Sequence, residues 1–413
     1  MAIRGSQKMG KRIIVVWAVL ASLCASAMAA ELSVSSNFEG GSVKVLAIDH
    51  ENGVIRFQPG GDPRRGWPCW WYFHVAGITP GRILTLELDM TGISIHPQWA
   101  MPQRASFSTD KKRWQQTAPG ERREKKMIYR QAVNAKAAWF AWGPPFLASD
   151  AAELVRRAAS RCGDARAFEL CQSAEGRPVP AVRIGPREPN APRFGLWINA
   201  RQHAWEAGSS WVSSGLVEWL ASDDPRAVSL RKKAEIVVVP IMDVDNVVAG
   251  QGGKNQLPHD HNRDWSDTPR FPAVAAAQRE IRAMASAGHF HFYLDLHNPG
   301  WADLEPFFNS PQQSEHPGES WQRVQSFLGA ARAELTGPIL FKGRFGQTGP
   351  KYDPKAWQFM SEHWVRRNTG PEAISLALET PWNTPESTIQ GYQAFGRQLG
   401  LAIARYIDEL AGP

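Results

Sequence analysis

Three features are missing from this sequence, and each absence argues against a class of protein. The chain has no low-complexity run and no repeat with a period of about 20–50 residues, which argues against a solenoid or a disordered chain. It has no Gly-x-Ser-x-Gly motif, which disfavours serine-hydrolase chemistry. After residue 30, no apolar run reaches the roughly 20 residues of a membrane-spanning helix. What is present, 43% hydrophobic and 21% charged residues, is typical of a globular protein, and a length of 413 residues predicts two domains or one large domain with an appendage.

The first 30 residues have the layout of a secretory signal peptide. Four basic residues precede a short apolar run at 13–23, and a small-x-small pattern follows at 27–29. A membrane anchor is the alternative, but the apolar run is shorter than a spanning helix. We therefore predict cleavage near Ala29 or Ala30 and an exported protein, periplasmic or secreted, without stable membrane insertion.

Little net charge remains once this leader is removed. The whole chain has 47 basic and 40 acidic residues, and four basic residues lie in the leader, so the mature chain carries +3. This value gives no support for nucleic-acid binding. Cys24 lies in the leader, and Cys69 is expected to be buried. Cys162 and Cys171 lie in a loop-like stretch at 161–176, where an oxidising compartment would let them pair.

The mature chain divides into two regions. Residues 31–148 contain short β-branched and aromatic runs separated by Gly, Pro, Asn and Asp, which predicts an antiparallel β-sandwich domain. Residues 149–413 start with a predicted linker helix at about 149–160 and then alternate strand-like and helical runs. That alternation predicts an α/β domain with a mixed, largely parallel sheet flanked by helices. Catalytic groups of such sheets collect at the carboxyl ends of the strands.

Two predicted strands end in side chains that suit a zinc site. The strand at 194–199 is followed by His203 and Glu206, whose spacing lets both face one side of a turn. The strand at 290–296 is followed by His297, and Asp295 is placed to support it. Catalytic zinc typically keeps three protein ligands and one open position. We therefore predict one Zn²⁺ per chain, bound by His203, Glu206 and His297.

A further strand, at 373–378, ends in Glu379, which is a candidate general base for water that zinc activates. Each of these residues has a simpler interpretation when taken alone. Glu379 is alternatively an exposed strand-end carboxylate, and a single strand-end histidine is more often a core residue. The His-x-x-Glu spacing also recurs at His316 and Glu319, where no strand precedes it and coincidence explains it better. The combination of the three candidate zinc ligands with Glu379 is what favours a catalytic site.

A loop between the ligands supplies candidate substrate contacts. Arg263 can bind a carboxylate with two parallel hydrogen bonds, and Asn262 can add a third donor. Lys254, in a glycine-rich stretch, is suited to offset negative charge on a tetrahedral intermediate. The alternative is a solvated basic loop. His259 and His261 are interpreted as loop residues, because the predicted zinc set is already complete.

In this order, the residues resemble the zinc metallocarboxypeptidases, and among them the cytosolic-carboxypeptidase-like subfamily with its bacterial members. The family's zinc-binding positions are similar to His203-Ala204-Trp205-Glu206 and to His297. Its carboxylate-binding pair is similar to Asn262-Arg263, and its catalytic glutamate is similar to Glu379. The subfamily's N-terminal sandwich is similar to the segments Phe38-Glu39-Gly40-Gly41 and Trp70-Trp71-Tyr72-Phe73. The resemblance implies the metallocarboxypeptidase fold, with hydrolysis of the C-terminal bond of a peptide or peptide-like substrate that has a free terminal carboxylate.

Some positions depart from the family pattern. Where the family has an arginine that stabilises the oxyanion, this loop offers Lys254. The tyrosine that closes over substrate in the family has Tyr352 as its candidate match. Lys342, Arg344 and Lys351 precede the last strand. They indicate a pocket for an acidic side chain, with Arg344 as a substrate contact, or they are solvated loop charges.

Two other functions stay open on the sequence. A deacylase or amidase acting on amino-acid conjugates or cell-wall peptides would use the same zinc site without recognising a terminal carboxylate. A catalytically inert secreted binding protein is the second alternative, in which tryptophans of the sandwich line a sugar-binding face.

Overall fold

The computed structural model describes residues 1–2, 31–186 and 194–412. The predicted signal peptide therefore lies, except for its first two residues, outside the described residues. No helix in the described ranges combines the length and apolar character needed to cross a membrane.

The N-terminal region is a sandwich of two five-stranded sheets, with strand orders β1-β4-β10-β6-β7 and β2-β3-β5-β9-β8. Every pair is antiparallel except β3 with β5, so the predicted antiparallel sandwich is confirmed with one parallel pair. Alternate residues of β5 (Leu84, Leu86 and Leu88) are fully buried, as the two-residue period of a strand requires. The strands are β1 (Ser33–Ser35), β2 (Lys44–Asp49), β3 (Val54–Gln58), β4 (Tyr72–Ala76), β5 (Arg82–Asp89), β6 (Ser106–Ser108), β7 (Gln115–Gln116), β8 (Glu121–Arg123), β9 (Lys126–Val133) and β10 (Ala137–Ala141).

The second region is an eight-stranded mixed sheet flanked by helices, in the order β11-β12-β14-β13-β15-β18-β16-β17. Its centre is parallel from β14 through β13 and β15 to β18, which confirms the predicted fold class. The strands are β11 (Ala165–Gln172), β12 (Pro178–Ile184), β13 (Phe194–Ala200), β14 (Ala234–Val239), β15 (Phe290–His297), β16 (Phe307–Pro311), β17 (Phe345–Thr348) and β18 (Ile374–Glu379). The helices are α1 (Ala148–Arg161), α2 (Ala207–Leu220), α3 (Pro225–Lys233), α4 (Val244–Val248), α5 (Pro272–Ser286), α6 (Ser320–Glu334), α7 (Ser361–Asn368) and α8 (Ile389–Ala411).

The stretch interpreted as a loop at 161–176 contains strand β11 instead. Only Ala165 and Leu170 of this strand are buried, and the other side chains are partly or fully exposed, as expected of a strand at the edge of the sheet. Cys171 lies on this strand and Cys162 at the end of α1, and both are free thiols, as is the buried Cys69.

Helices α2 and α8 pack against each other through glycines. A β-carbon at Gly396 would stand 2.0 Å from the Val212 carbonyl oxygen, and one at Gly215 would stand 2.1 Å from the Gln393 carbonyl oxygen. The close approach of the two helices therefore depends on the absence of side chains at these two positions.

The sandwich packs directly on the segment that carries the first two predicted ligands. Trp205, between His203 and Glu206, is fully buried, and its ring centroid lies 5.2 Å from that of Trp142. Trp382 follows β18 and lies 4.4 Å from Trp142, measured between ring centroids. The core of the sandwich thus continues into the α/β region.

Backbone hydrogen bonds also join the sandwich to the loop that carries Lys254. The amide of Gly253 donates to the carbonyl of Arg65 at 2.9 Å, and the amide of Leu257 donates to that of Arg64 at 3.0 Å. In the opposite direction, the amide of Trp67 donates to the carbonyl of Lys254 at 2.9 Å.

Candidate functional site

The carboxyl edge of the central sheet brings the predicted site together. Strands β13, β15 and β18 are parallel neighbours, so their carboxyl ends meet at one edge. His297 and Glu379 are register partners on adjacent strands. His203 follows the end of β13 by three residues.

His203, Glu206 and His297 form a compact buried cluster whose ligand atoms lie within 4.8 Å of one another. The two oxygens of Glu206 each lie 2.8 Å from a histidine Nδ1, Oε1 from His203 and Oε2 from His297. Both rings therefore turn the same nitrogen toward a common point. Two imidazoles and one carboxylate are a typical ligand set of catalytic zinc, so the residues present fit that ion.

The other ring nitrogens face two further carboxylates. His297 Nε2 lies 2.8 Å from Asp295 Oδ2. His203 Nε2 is buried without a hydrogen-bond partner among the described residues, and the nearest carboxylate oxygen, Asp260 Oδ2, is 3.5 Å away. Carboxylates in these positions fix the orientation of metal-binding histidines and raise their basicity.

The charges of the cluster shift the pKa values of its members. Burial alone would raise the pKa of Glu206, but His203 and His297 lower it below its usual range. Burial opposes the protonation of His297, yet Asp295 and Glu206 raise its pKa overall. Burial raises the pKa of Glu379 to about 7, with His297 opposing the rise and Glu206 adding to it.

One pocket, with an empty volume of about 550 Å³, contains most of the predicted site residues. Its lining includes the three candidate ligands and four predicted contacts, which are Lys254, Asn262, Arg263 and Tyr352, together with Glu379. Arg344 is not part of this lining: it donates to Asp303 at 2.6 Å and stacks on the ring of Phe307. The structure thus gathers every residue of the predicted set except Arg344, whose proposed role stays an untested prediction.

The predicted carboxylate-binding pair is held by its surroundings. Arg263 Nε donates to Asp353 Oδ2 at 2.8 Å, and its Nη1 donates to the Asn262 carbonyl oxygen at 3.0 Å. Asn262 Oδ1 accepts from the Ser361 amide at 3.0 Å, and its Nδ2 lies 3.3 Å from His297 Nε2.

Lys254 and Tyr352 lie at the edges of the pocket. The ammonium group of Lys254 lies 5.6 Å from the ring centroid of Trp67, a residue of the sandwich. Tyr352 is 55% exposed and stands at the pocket mouth. His259, bonded to Asp264, and His261, stacked on Phe271, stay outside the ligand cluster.

The lining residues missed from the sequence include Trp99, Asn309, Thr348 and Glu362. Trp99 belongs to the sandwich, so nothing in the order of the motifs connects it with the zinc cluster. Asn309 and Thr348 lie on β16 and β17, the short strands that the sequence did not reveal. Glu362 lies in the first turn of α7, where an acidic residue is ordinarily a surface feature.

Comparisons with known proteins agree with this geometry. Residues 152–333 match the zinc carboxypeptidase family, and residues 34–142 match the cytosolic carboxypeptidase N-terminal domain. An uncharacterized protein of Zymomonas mobilis is 25% identical over 269 residues, which are 64% of this chain and 67% of that protein. Human cytosolic carboxypeptidase 1 is 30% identical over 140 residues, which are 31% of this chain but only 11% of that protein.

Two solved structures share the fold over most of the chain. The metallo-carboxypeptidase from Burkholderia cenocepacia superposes with a TM-score of 0.79 at 22% identity, covering 92% of this chain and 100% of that one. The metallo-carboxypeptidase from Pseudomonas aeruginosa, solved in complex with (2-guanidinoethylmercapto)succinic acid, gives a TM-score of 0.77 at 23% identity with the same coverage.

The fold and the histidine–glutamate–histidine cluster define a metallocarboxypeptidase that uses zinc. Residues 152–333 carry the zinc carboxypeptidase domain, and residues 34–142 carry the N-terminal domain found in the cytosolic carboxypeptidases. The resemblance stated from the sequence is thereby confirmed.

Proposed function

We propose that this chain removes the C-terminal residue of peptides, with His203, Glu206 and His297 as the zinc ligands. The position of Glu379 is the observation that carries the proposal. It is the register partner of His297 and lines the same pocket as all three candidate ligands. Its Oε2 is buried without a partner among the described residues. A carboxylate oxygen in such a position is free to exchange a proton with a reacting group.

In the proposed reaction, Glu379 accepts a proton from the attacking water and delivers it to the leaving amine. Its pKa of about 7 suits both steps near neutral pH, because the group can take up and release a proton with little cost. When bound, zinc supplies the Lewis acidity that polarises the carbonyl and the water. Lys254 offsets the negative charge that forms on the carbonyl oxygen.

Arg263 is proposed to bind the terminal carboxylate of the substrate. Asp353 holds its Nε, and the Nη2 group has no partner in the described part of the chain. The second amide hydrogen of Asn262 is the additional donor, and Tyr352 is positioned at the mouth to cover the bound peptide. Fixed by Asp353, the guanidinium loses little freedom on binding.

The chain is further proposed to be exported and divided into a leader at 1–30, a sandwich domain at 31–148 and a catalytic domain at 149–413. N-terminal sequencing of the protein recovered from the periplasm or medium tests the first point. A start near residue 30 is expected, and an intact Met1 would contradict export by this leader.

A peptide-library digest followed by mass spectrometry tests the main proposal. We expect loss of single C-terminal residues, abolished by a chelator and restored by zinc. An Arg263→Ala variant is expected to raise KM strongly for peptides with a free carboxylate. If this variant turns over substrates as well as the wild type, or if amidated peptides are cleaved equally well, a deacylase or amidase is the better assignment. A purified protein without zinc and without turnover would favour the inert binding protein.

A further inference from the structure

A second cavity lies between the sandwich and the loop that follows strand β15. Its empty volume of about 920 Å³ exceeds the 550 Å³ of the pocket that contains the candidate zinc ligands. The sandwich contributes Met101, with Arg122 on β8 and Met127 on β9, and the loop contributes Trp301 and Leu304. This cavity, which we call the Leu304 cleft, contains none of the residues predicted for the site.

The Leu304 cleft adjoins the catalytic pocket, because the same two chain segments line both. Trp99 and Gly300 line the pocket, and their chain neighbours Gln98 and Trp301 line the cleft. The two segments approach each other at Gly300, where a β-carbon would stand 4.0 Å from the ring of Trp99. An extended peptide advances about 3.3 Å per residue, so a chain that leaves the pocket between these segments enters the cleft next.

The part of a peptide that can reach the cleft is the part before the scissile bond. Arg263, the proposed contact of the terminal carboxylate, is held by Asp353 in the loop after β17. Neither residue lines the Leu304 cleft. Since the peptide ends at its carboxylate, only the residues upstream of the cleaved bond are left to occupy the cleft.

Apolar side chains form both walls of the cleft. Met101 and Met127 are buried in the sandwich, and methionine adapts readily to the shape of an apolar partner. On the opposite wall, Trp301 is stacked on His96 of the sandwich, with 5.6 Å between ring centroids and 7° between the planes. Leu304 is 57% exposed, so an apolar group that covers it removes apolar surface from water.

The charge at the cleft disfavours a basic occupant. Arg122 lines it, and among the residues that the structure describes this guanidinium forms no ion pair. A lysine or arginine side chain in the cleft would meet a like charge without a carboxylate to compensate it. The lining therefore favours an uncharged apolar side chain.

We propose that the Leu304 cleft binds an apolar side chain of the peptide substrate upstream of the scissile bond. The proposal rests on the proposed carboxypeptidase function, because it takes Arg263 as the place of the terminal carboxylate. The sandwich thereby takes part in substrate selection, and the chain favours peptides that are long enough to reach the cleft over shorter ones.

Peptides that share their C-terminal dipeptide and are lengthened one residue at a time test the proposal. Each added position carries leucine or asparagine, which have nearly the same shape and differ in polarity. At the position that reaches the cleft, we expect kcat/KM for the leucine peptide to exceed that for the asparagine peptide by roughly 5- to 30-fold. The difference should appear in KM, because the contact is remote from the reacting bond. The absence of a leucine preference at every added position would overturn the proposal.

Variants of exposed leucines assign the preference to the cleft. Leu304→Asp is expected to lose the leucine preference and to cleave the shortest peptides like the wild type, and Leu304→Met should keep the preference. Leu46→Asp is the matched control, because Leu46 is 44% exposed on β2 and lies outside the cleft lining. If Leu304→Asp instead lowers the molecular mass measured by light scattering and leaves the preference intact, a second copy of the chain covers Leu304 and the proposal is wrong.

Binding measurements separate this proposal from the proposed reaction. If the wild type cleaves short and long peptides but treats leucine and asparagine peptides equally, the carboxypeptidase function stands and the cleft proposal fails. If the wild type cleaves no peptide and yet binds the leucine peptide more tightly than the asparagine peptide, the proposed reaction fails and the cleft proposal stands. Equal binding in that case overturns both. These wild-type comparisons decide the matter even where Leu304→Asp does not fold.

Discussion

At the scale of single residues, the candidate site contains two carboxylates beside the histidines in addition to the candidate ligands themselves. Asp295 lies beside His297, and Asp260 lies beside His203. The ligand candidates could be predicted because each follows a recognisable strand. Asp260 and Glu362 could not, because a sequence does not show which acidic residues are buried. Burial is what turns an ordinary loop carboxylate such as Asp260 into a neighbour of His203.

Replacement of Asp260 by asparagine is expected to weaken zinc binding by about 10- to 100-fold. The reason is that the neutral amide attracts the Nε2 hydrogen of His203 less strongly than the carboxylate does, so the ring is less firmly oriented. Competition with a chromogenic chelator measures the change. Asp267→Asn, in the same loop but with a side chain 93% exposed, serves as the control and should bind zinc like the wild type.

Glu379→Gln and Glu206→Gln are expected to lose activity for different reasons. The first removes the proton acceptor and should lower kcat by about 10²- to 10⁴-fold with zinc retained. The second removes a ligand charge and should lower the zinc content itself. Metal analysis of the purified variants distinguishes them, and a Glu379→Gln protein that is free of zinc would contradict the separation of roles.

At the scale of elements, hydrophobic periodicity was enough to predict the central strands and the long helices. Strands β13, β15 and β18 are nearly continuous apolar runs, as strands buried on both faces require. The edge strands β11 and β17, and β16 beside β17, escaped prediction because they are short or half-exposed and contain polar residues. Their positions in the sheet come from pairing with the buried strands rather than from local pattern.

Two glycine-to-alanine substitutions are expected to change the free energy of unfolding in opposite directions, because only one of the two glycines lies in a close helix contact. Gly396→Ala should lower the free energy of unfolding by roughly 1–3 kcal/mol, because the added methyl group meets the Val212 carbonyl. Gly329→Ala in α6, where a β-carbon has no neighbour within 4 Å, should raise it by about 0.4–1 kcal/mol. Urea denaturation of both variants checks the pair, and an equal effect of the two would show that the helices are free to move apart.

At the scale of the whole molecule, the sandwich and the sheet share one core of tryptophans beside the zinc cluster. The sequence predicted two regions, but it did not predict this contact. In a sequence, an aromatic residue at the end of a strand gives the same pattern whether it packs inside its own domain or against another domain. Only the structure distinguishes Trp142, which packs on Trp205, from Trp139, which packs on His74.

Trp142→Ala is expected to reduce both stability and zinc affinity. Loss of the buried ring should lower the free energy of unfolding by about 3–5 kcal/mol, and the cavity beside Trp205 should loosen the segment from His203 to Glu206. Trp139→Ala, three residues earlier on β10 and partly exposed, is the control for losing a tryptophan from the same part of the sandwich. Thermal unfolding and chelator competition check the two effects. Unchanged zinc affinity in Trp142→Ala would mean that the sandwich supports the fold but not the site.

The backbone bonding between residues 64–67 and the Lys254 loop has a consequence for engineering. Residues 64–67 of the sandwich and the Lys254 loop of the α/β region are joined by hydrogen bonds between backbone amides and carbonyls, so the position of this loop depends on both regions. A chimera that joins this catalytic half to the sandwich of a distant relative would lose that alignment. A design that transfers this site to another protein should therefore move the sandwich and the α/β region together, with the loops that join them.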